Sequence, residues 1–301
     1  MQNKQSTDKM LLGAIIVSML LWGFGWPSGK VLTHYTSAVN FSVYRYTIVI
    51  TILSVIMLFR KVSFPVKKEG IPSILISGGL LALYSYFFYM GLKTGSAGAG
   101  GVLVTTLNPI VAYAIGILLT RKMPAKNEVI GLVLGTFAGS ILLKLWSNGS
   151  AIADSGNLYF LAAAFTWAVM SKFTSKGSRY GSSLSFSLWQ YLITLLCLLP
   201  LMDVNEFKGA MAIRDPLFWG NLIFSSAFVT ALATTIYFFA TTKLGAEKAS
   251  SFIFMVPLAA ALSSWLFIGE KILPHTIIGG ILGIAAVYLI NKKPKTVAQA
   301  A

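Results

Sequence analysis

An all-α membrane protein of ten transmembrane helices, arranged as two inverted five-helix repeats, is the fold class that three observations predict. First, 56% of the 301 residues are hydrophobic and 11% charged, too little polar surface for a soluble chain of this size. Second, the apolar residues form ten continuous runs, each near the ~20 residues a helix needs to cross a hydrocarbon core of about 30 Å. Third, the chain repeats itself at an offset of 148: Pro109 falls on Pro257, Leu118 on Leu266, Ile130 on Ile278, Gly131 on Gly279 and Gly135 on Gly283. Between these matches Arg121-Lys122-Met123 lies opposite Gly269-Glu270-Lys271. A repeat with an odd number of spans turns its second copy upside down, so the same loop faces opposite sides and the positive-inside bias recharges it.

The spans in order are 10–32, 41–59, 71–92, 98–120, 129–146, 158–172, 184–201, 217–242, 249–268 and 276–290. The first follows Lys4 and Lys9 without a small-residue cleavage site, so it reads as a retained span rather than a cleaved leader. The others are bounded by short gaps into which the Lys and Arg residues are gathered, and none shows the ten-residue alternation of a membrane barrel. Upstream the repeat continues at an offset of 145, where Trp22 parallels Trp167 and Phe41-Ser42-Val43-Tyr44-Arg45-Tyr46 parallels Phe186-Ser187-Leu188-Trp189-Gln190-Tyr191. Residues 1–150 are therefore the first repeat and 151–301 the second, inverted one. The longest gap, 202–216, is too short for a soluble domain.

With the amino terminus in the cytoplasm, seventeen of the 24 basic residues lie inside, six outside, and Arg45 within a span. This bias places both termini in the cytoplasm. The formal charge of +15 is dispersed through loops rather than gathered on a polar helix face, which argues against nucleic acid as a partner. A single cysteine, Cys197 in an apolar run, excludes an internal disulfide framework and is expected to pack; no metal or cofactor site is expected. His34 and His275 have no metal-ligand spacing, and the nine acids fall in loops or span ends, which leaves no constellation for enzyme chemistry and no buried carboxylate for proton coupling. The glycine run 95–101 lacks the Lys-Ser/Thr of a phosphate loop and opens an apolar helix.

Arg45 is the only charge well inside a span. It either faces a cavity and attracts a carboxylate, or ties its helix to carbonyls and snorkels outward. Trp22, Tyr44, Tyr84, Trp167 and Trp189 are the aromatics expected to wall a substrate cavity, with Gln190 as the neutral counterpart of Arg45. Packing and interface anchoring are the plainer readings of such rings. Pro27, Pro109 and Pro257 lie within spans as hinge or kink candidates. The four-residue spacing of Gly131, Gly135 and Gly139, and the series Gly279, Gly280 and Gly283, suit either internal helix packing or a dimer face, so monomer and homodimer both stay open.

Trp22-Gly23, Lys30, Arg45, Asn108-Pro109 and the Gly131 series, with Leu266-Phe267-Ile268-Gly269-Glu270 before Ile278-Gly279-Gly280, resemble the EamA family of the drug/metabolite transporter superfamily. The resemblance spans nearly all of both halves. It implies ten helices, a central cavity between two five-helix halves, and alternating access for small metabolites in a cell inner membrane. The expected function is thus a carrier, most naturally an exporter, of small organic solutes such as amino acids or aromatic and amphipathic molecules. The alternative is a lipid-handling flippase or an accessory membrane subunit. Single cysteines at Lys122 and Lys271, in a Cys197→Ser background, should label from opposite faces of the membrane; labelling of both from one face would contradict the inversion.

Overall fold

The computed structural model describes residues 2–95, 97–143, 146–147, 155–268 and 274–292. All regular structure among them is helical. The helices are α1 (Gln2–Leu32), α2 (Ala38–Phe59), α3 (Ile71–Thr94), α4 (Ala97–Thr120), α5 (Lys126–Leu143), α6 (Ser155–Thr174), α7 (Ser183–Leu198), α8 (Val204–Met211), α9 (Pro216–Ile223), α10 (Thr235–Leu244), α11 (Ala246–Ser251), α12 (Val256–Ile268) and α13 (Pro274–Asn291). Six segments are long and apolar enough to cross a membrane: Lys9–Leu32, Ala38–Phe59, Lys68–Thr94, Gly100–Thr120, Ser183–Leu201 and Pro216–Leu244. The other four expected spans coincide with α5, α6, the run from α11 to α12, and α13, which are shorter or less apolar. The loop holding Glu270 and Lys271, the boundary near 150, and the C-terminal residues lie outside the described residues.

The eighth expected span is not one α-helix. Between α9 and α10 the backbone runs as a π-helix over Phe224–Thr234. Two hydroxyls reach back five residues within it, Thr230 Oγ1 donating to the Ser225 carbonyl and Thr234 Oγ1 to the Val229 carbonyl, each at 2.9 Å. The wider turn brings those carbonyls within reach. The ninth is also interrupted, by a 3₁₀ turn over Phe252–Met255. Pro257 has no N–H to give the Ile253 carbonyl, and the Val256 N–H takes that acceptor instead. Pro27 and Pro109, by contrast, sit inside helices that continue through them.

Helix packing follows the repeat. Taking α1 with α6, α2 with α7, α3 with the π segment, α4 with α12 and α5 with α13 as counterparts, each principal pairing has its image. α3 packs on α6 as the π segment packs on α1; α4 packs on α6 as α12 packs on α1; α3 packs on α7 as the π segment packs on α2. The α2–α7 and α5–α13 pairs map onto themselves. Gly131 and Gly279 are spent in the last of these, and the rest of the series packs on Thr106, Phe254 and Leu258. A Cβ on Gly131 would meet Ile290 and the Ala286 carbonyl, and one on Gly279 would meet Leu142 and the Ala138 carbonyl, so this face is internal packing rather than a free dimer surface. Cys197 is exposed on α7, not packed.

A close crossing is α1 on α12, where a Cβ added to Gly23 would lie 2.4 Å from the Ala259 Cβ and 2.7 Å from Ala259 backbone. Both partners there are rigid, so the helices must separate to admit a methyl group. Gly23→Ala should therefore lower stability by about 1–3 kcal/mol. Gly13→Ala, in the same helix with nothing within 4 Å, should not. Thermal unfolding in detergent compares the two, and equal behaviour would contradict the close approach.

Candidate functional site

Where α1, α2, α3 and α4 of the first half meet α6, the π segment and the 252–256 turn of the second, the chain encloses a cavity of about 70 Å³. Trp22, Trp26, Arg45, Tyr84, Asn108, Trp167, Thr230 and Thr234 are on its wall. The space holds a few waters and is well below the ~300 Å³ of an ordinary ligand pocket.

Arg45 decides the character of this wall. It lies seven residues into α2, about 10 Å along the axis, and is only 6% exposed, so it does not snorkel. No carboxylate pairs with it among the described residues. Its Nη2 donates to the Tyr46 and Ser85 hydroxyls at 2.9 and 3.1 Å, and its Nη1 to Thr230 at 3.4 Å. Its guanidinium carbon sits 4.6 Å from the ring centre of Tyr46, 5.0 Å from that of Tyr89 and 5.8 Å from that of Phe41. Three ring faces at about 0.5–2 kcal/mol each offset the ~3 kcal/mol that a charge costs within a bilayer on insertion scales. They do so without supplying a counter-ion, and Nε is left with no partner.

Aromatic rings fill the rest. Trp22 and Trp167, the repeat-related pair, meet edge to face at 5.1 Å. Tyr84 lies 4.6 Å from Trp167, and Tyr237 lies 4.9 Å from Trp22 and 5.5 Å from Trp167. The Trp22 indole N–H donates to Thr234 at 3.2 Å, so the π segment supplies hydroxyls to both Trp22 and Arg45. The Trp167 N–H faces the Tyr237 hydroxyl without the geometry of a hydrogen bond and is unpartnered, as is Asn108 Oδ1.

Three residues expected on this wall are elsewhere. Tyr44 stacks on Phe207 at 4.1 Å and donates to the Phe207 carbonyl. Trp189 is 37% exposed and donates to the Phe64 carbonyl at 2.9 Å. Gln190 is fully buried and accepts from Thr174 Oγ1 at 3.2 Å, between α7 and α6. The first two are related by the repeat, and so is what they do: each second helix of a half ties down the connection that follows the second helix of the other half. A second pair repeats the tie, Asn40 Nδ2 donating to the Asp203 carbonyl and Ser185 Oγ to the Ser63 carbonyl. Even the caps correspond, Ser37 capping α2 and Ser182 capping α7. These residues form two seams, one at each end of the cavity axis.

The seam at α8 is reinforced by Glu206, whose carboxylate accepts from the Ser37 N–H, from Thr36 Oγ1 at 3.0 Å and from Asn40 Nδ2 at 3.0 Å. A carboxylate at the N-terminus of α2 is favoured by the helix dipole as well as by these donors. Near the opposite seam there are two ion pairs, the first within the second half and the second between halves. Lys172 pairs with Glu247, and Lys248 lies 3.8 Å from Glu128. The Glu247 carboxylate packs on bare backbone, since a Cβ on Gly116 would come within 2.5 Å of its Oε1. A second hollow of about 220 Å³ opens here, lined by Tyr113, Lys122, Glu128 and Glu247 among others.

Sequence reasoning missed Tyr46, Ser85, Asn108 as a wall residue, and the whole π segment. The only signal was the five-residue spacing of Ser225 to Thr230 and Val229 to Thr234.

A multi-pass helical bundle with a cavity between two related halves is the architecture of a membrane carrier, and the comparisons agree. The family model described as "EamA-like transporter family" matches twice, over residues 9–144 and 154–292. The chain belongs to the EamA-like transporter family, whose members are not enzymes. It is 26% identical over 283 residues to the uncharacterized transporter YoaV of Bacillus subtilis, covering 93% of this chain and 96% of that one. Against the uncharacterized transporter YvbV of the same organism the identity is 29% over 303 residues, covering 100% and 97%. A crystal structure with 16% sequence identity superposes at a TM-score of 0.70 over 94% of this chain and 96% of that chain, a likeness of fold alone.

The α8 seam also carries a titratable clamp. Tyr35 donates to Asp215; this bond, with the Leu217 N–H, holds Asp215 below its usual range, and the same bond raises the Tyr35 phenol. The Asp215 contribution is present above its unfolded value and lost as pH falls through the folded one. The Tyr35 contribution is present below its unfolded value and lost as pH rises through the folded one. The small difference in melting temperature between wild type and Tyr35→Phe should therefore be flat from roughly pH 5 to 9 and shrink as the pH falls below the ordinary carboxylate range. A difference that persists at low pH would contradict the clamp.

Proposed function

We propose that this EamA-like transporter moves a small aromatic or amphipathic organic solute, amino acids included, across a cell inner membrane by alternating access, in the outward direction. Its ten spans form two inverted halves, residues 1–150 and 151–301, with both termini cytoplasmic. The observation that carries the reading is the cavity itself: one unpaired cation and a set of indole and phenol faces, contributed by both halves at their junction. Such a wall binds organic solutes through ring faces and orients them through a few polar groups.

The two seams support alternation. One is a set of neutral and carboxylate-centred hydrogen bonds at α8; the other adds an ion pair between α5 and α11. Opening either releases one end of the cavity while the other stays tied. In the proposed topology the 220 Å³ hollow faces the cytoplasm, where an exporter loads. Pro109 and Pro257 lie on repeat-related helices beside the cavity and, with Pro27, are the proposed flexing points. Trp167 also packs, being 5% exposed, so a truncation mixes stability with transport. Trp167→Phe keeps a ring and removes the indole N–H. In proteoliposome counterflow with a panel of aromatic and amphipathic solutes, it should cut transport about tenfold, the worth of one hydrogen bond of ~1.4 kcal/mol, with the melting temperature nearly unchanged. Unchanged transport of every solute in the panel would remove Trp167 from the site.

A further inference from the structure

We propose that the substrate is an organic monocarboxylate with a flat apolar body and one neutral hydrogen-bond donor, of the 2-hydroxy or N-acyl acid type. This rests on the transport reading above. Six buried side-chain polar atoms have no partner among the described residues, and three of them belong to residues of this one wall: Arg45 Nε, Trp167 Nε1 and Asn108 Oδ1. Buried polar groups are nearly always satisfied, so a cluster of orphans marks where another molecule completes the pattern.

Two of the three are donors and one is an acceptor. The assignment at Asn108 follows from its surroundings: its Nδ2 donates to the Ala164 carbonyl at 3.3 Å, and a flipped amide would set two oxygens against each other. The charge then selects the ligand. Arg45 keeps its proton at any physiological pH. Its bound hydroxyls are neutral, and the rings around it hold a cation without neutralising it. A single anionic group on the ligand balances that charge. A second would find no other cation on the wall, so phosphorylated or dicarboxylate solutes fit poorly.

The carboxylate pairs with the Arg45 guanidinium at its open Nε, beside the Trp167 ring. The ligand's own donor meets Asn108 Oδ1, and the apolar body lies against Trp22, Tyr84 and Trp167. No carboxylate lines the cavity to receive an ammonium. A hydroxyl or amide N–H therefore suits Asn108 better than the charged amine of a zwitterion, whose desolvation nothing here offsets.

The test is calorimetric titration of the full-length transporter in detergent with four probes of one shape: 3-phenyllactate, 3-phenylpropionate, 3-phenylpropanamide and phenylalanine. The expected order is 3-phenyllactate tightest, 3-phenylpropionate about tenfold weaker, phenylalanine weaker than 3-phenyllactate, and the uncharged amide at least a hundredfold weaker. The probe series works on the unaltered protein, so it does not depend on a variant folding. Asn108→Leu should then erase the advantage of 3-phenyllactate over 3-phenylpropionate while leaving 3-phenylpropionate binding in place. Amide binding equal to that of the acid would overturn the proposal, as would phenylalanine binding more tightly than 3-phenyllactate. If no acid binds while counterflow of another solute still falls in Trp167→Phe, the substrate class fails and the transport reading stands. If the acids bind in the expected order but no solute shows counterflow, the binding site stands and the transport reading fails.

Discussion

A guanidinium held inside a membrane without a carboxylate beside it is the constraint around which the rest of this molecule is arranged. In most buried ion pairs one protein charge answers another and the site is electrically finished. Here Arg45 is stabilised by ring faces and hydroxyl oxygens from α2, α3 and the π segment, and its charge is left standing at the junction of the two halves. The π-helix belongs to the same arrangement. Its wide turn carries Thr230 to Arg45 and Thr234 to Trp22 while each hydroxyl also bonds back five residues.

The cavity is closed by a device used twice. The second helix of each half ties down the connection that follows the second helix of the other, through Asn40 and Tyr44 in one direction and Ser185 and Trp189 in the other. Sequence divergence has given the two seams different chemistry. Glu206 gathers three donors at α8, whereas Lys172, Glu247, Lys248 and Glu128 place charge pairs near the other. Seams of unequal strength give a carrier a preferred resting state, because the weaker one opens first.

Much of this was legible in the sequence because a membrane makes charge and repetition conspicuous. Arg45 stood out as the one ion in a span, and Trp22 with Trp167 as a repeated pair deep in the bilayer; both reach the wall. The same repeat logic paired Tyr44 with Trp189, and the structure places both away from this cavity. Repetition identifies equivalent positions but not their task, and these two are equivalent as ties rather than as walls. Tyr46 was missed because a guanidinium folds back along its helix to find a ring face, and spacing alone does not say which. The π segment was hidden because an extra residue in a turn leaves the hydropathy of a long apolar run unchanged. The glycine series read as close packing, but only the structure showed that Gly131 and Gly279 let α5 and α13 approach each other while the rest pack on α4, α12 and the 252–255 turn.

The central claim is that the unpaired charge at Arg45 awaits a substrate carboxylate. It is tested most directly by the anomalous scattering of a brominated ligand, 3-(4-bromophenyl)lactate, in crystals of the transporter. The account predicts a bromine peak among Trp22, Tyr84 and Trp167, with the carboxylate within hydrogen-bonding distance of Arg45 Nε. A bromine on the lipid-facing surface, or a ligand in the cavity with its carboxylate directed away from Arg45, would contradict it.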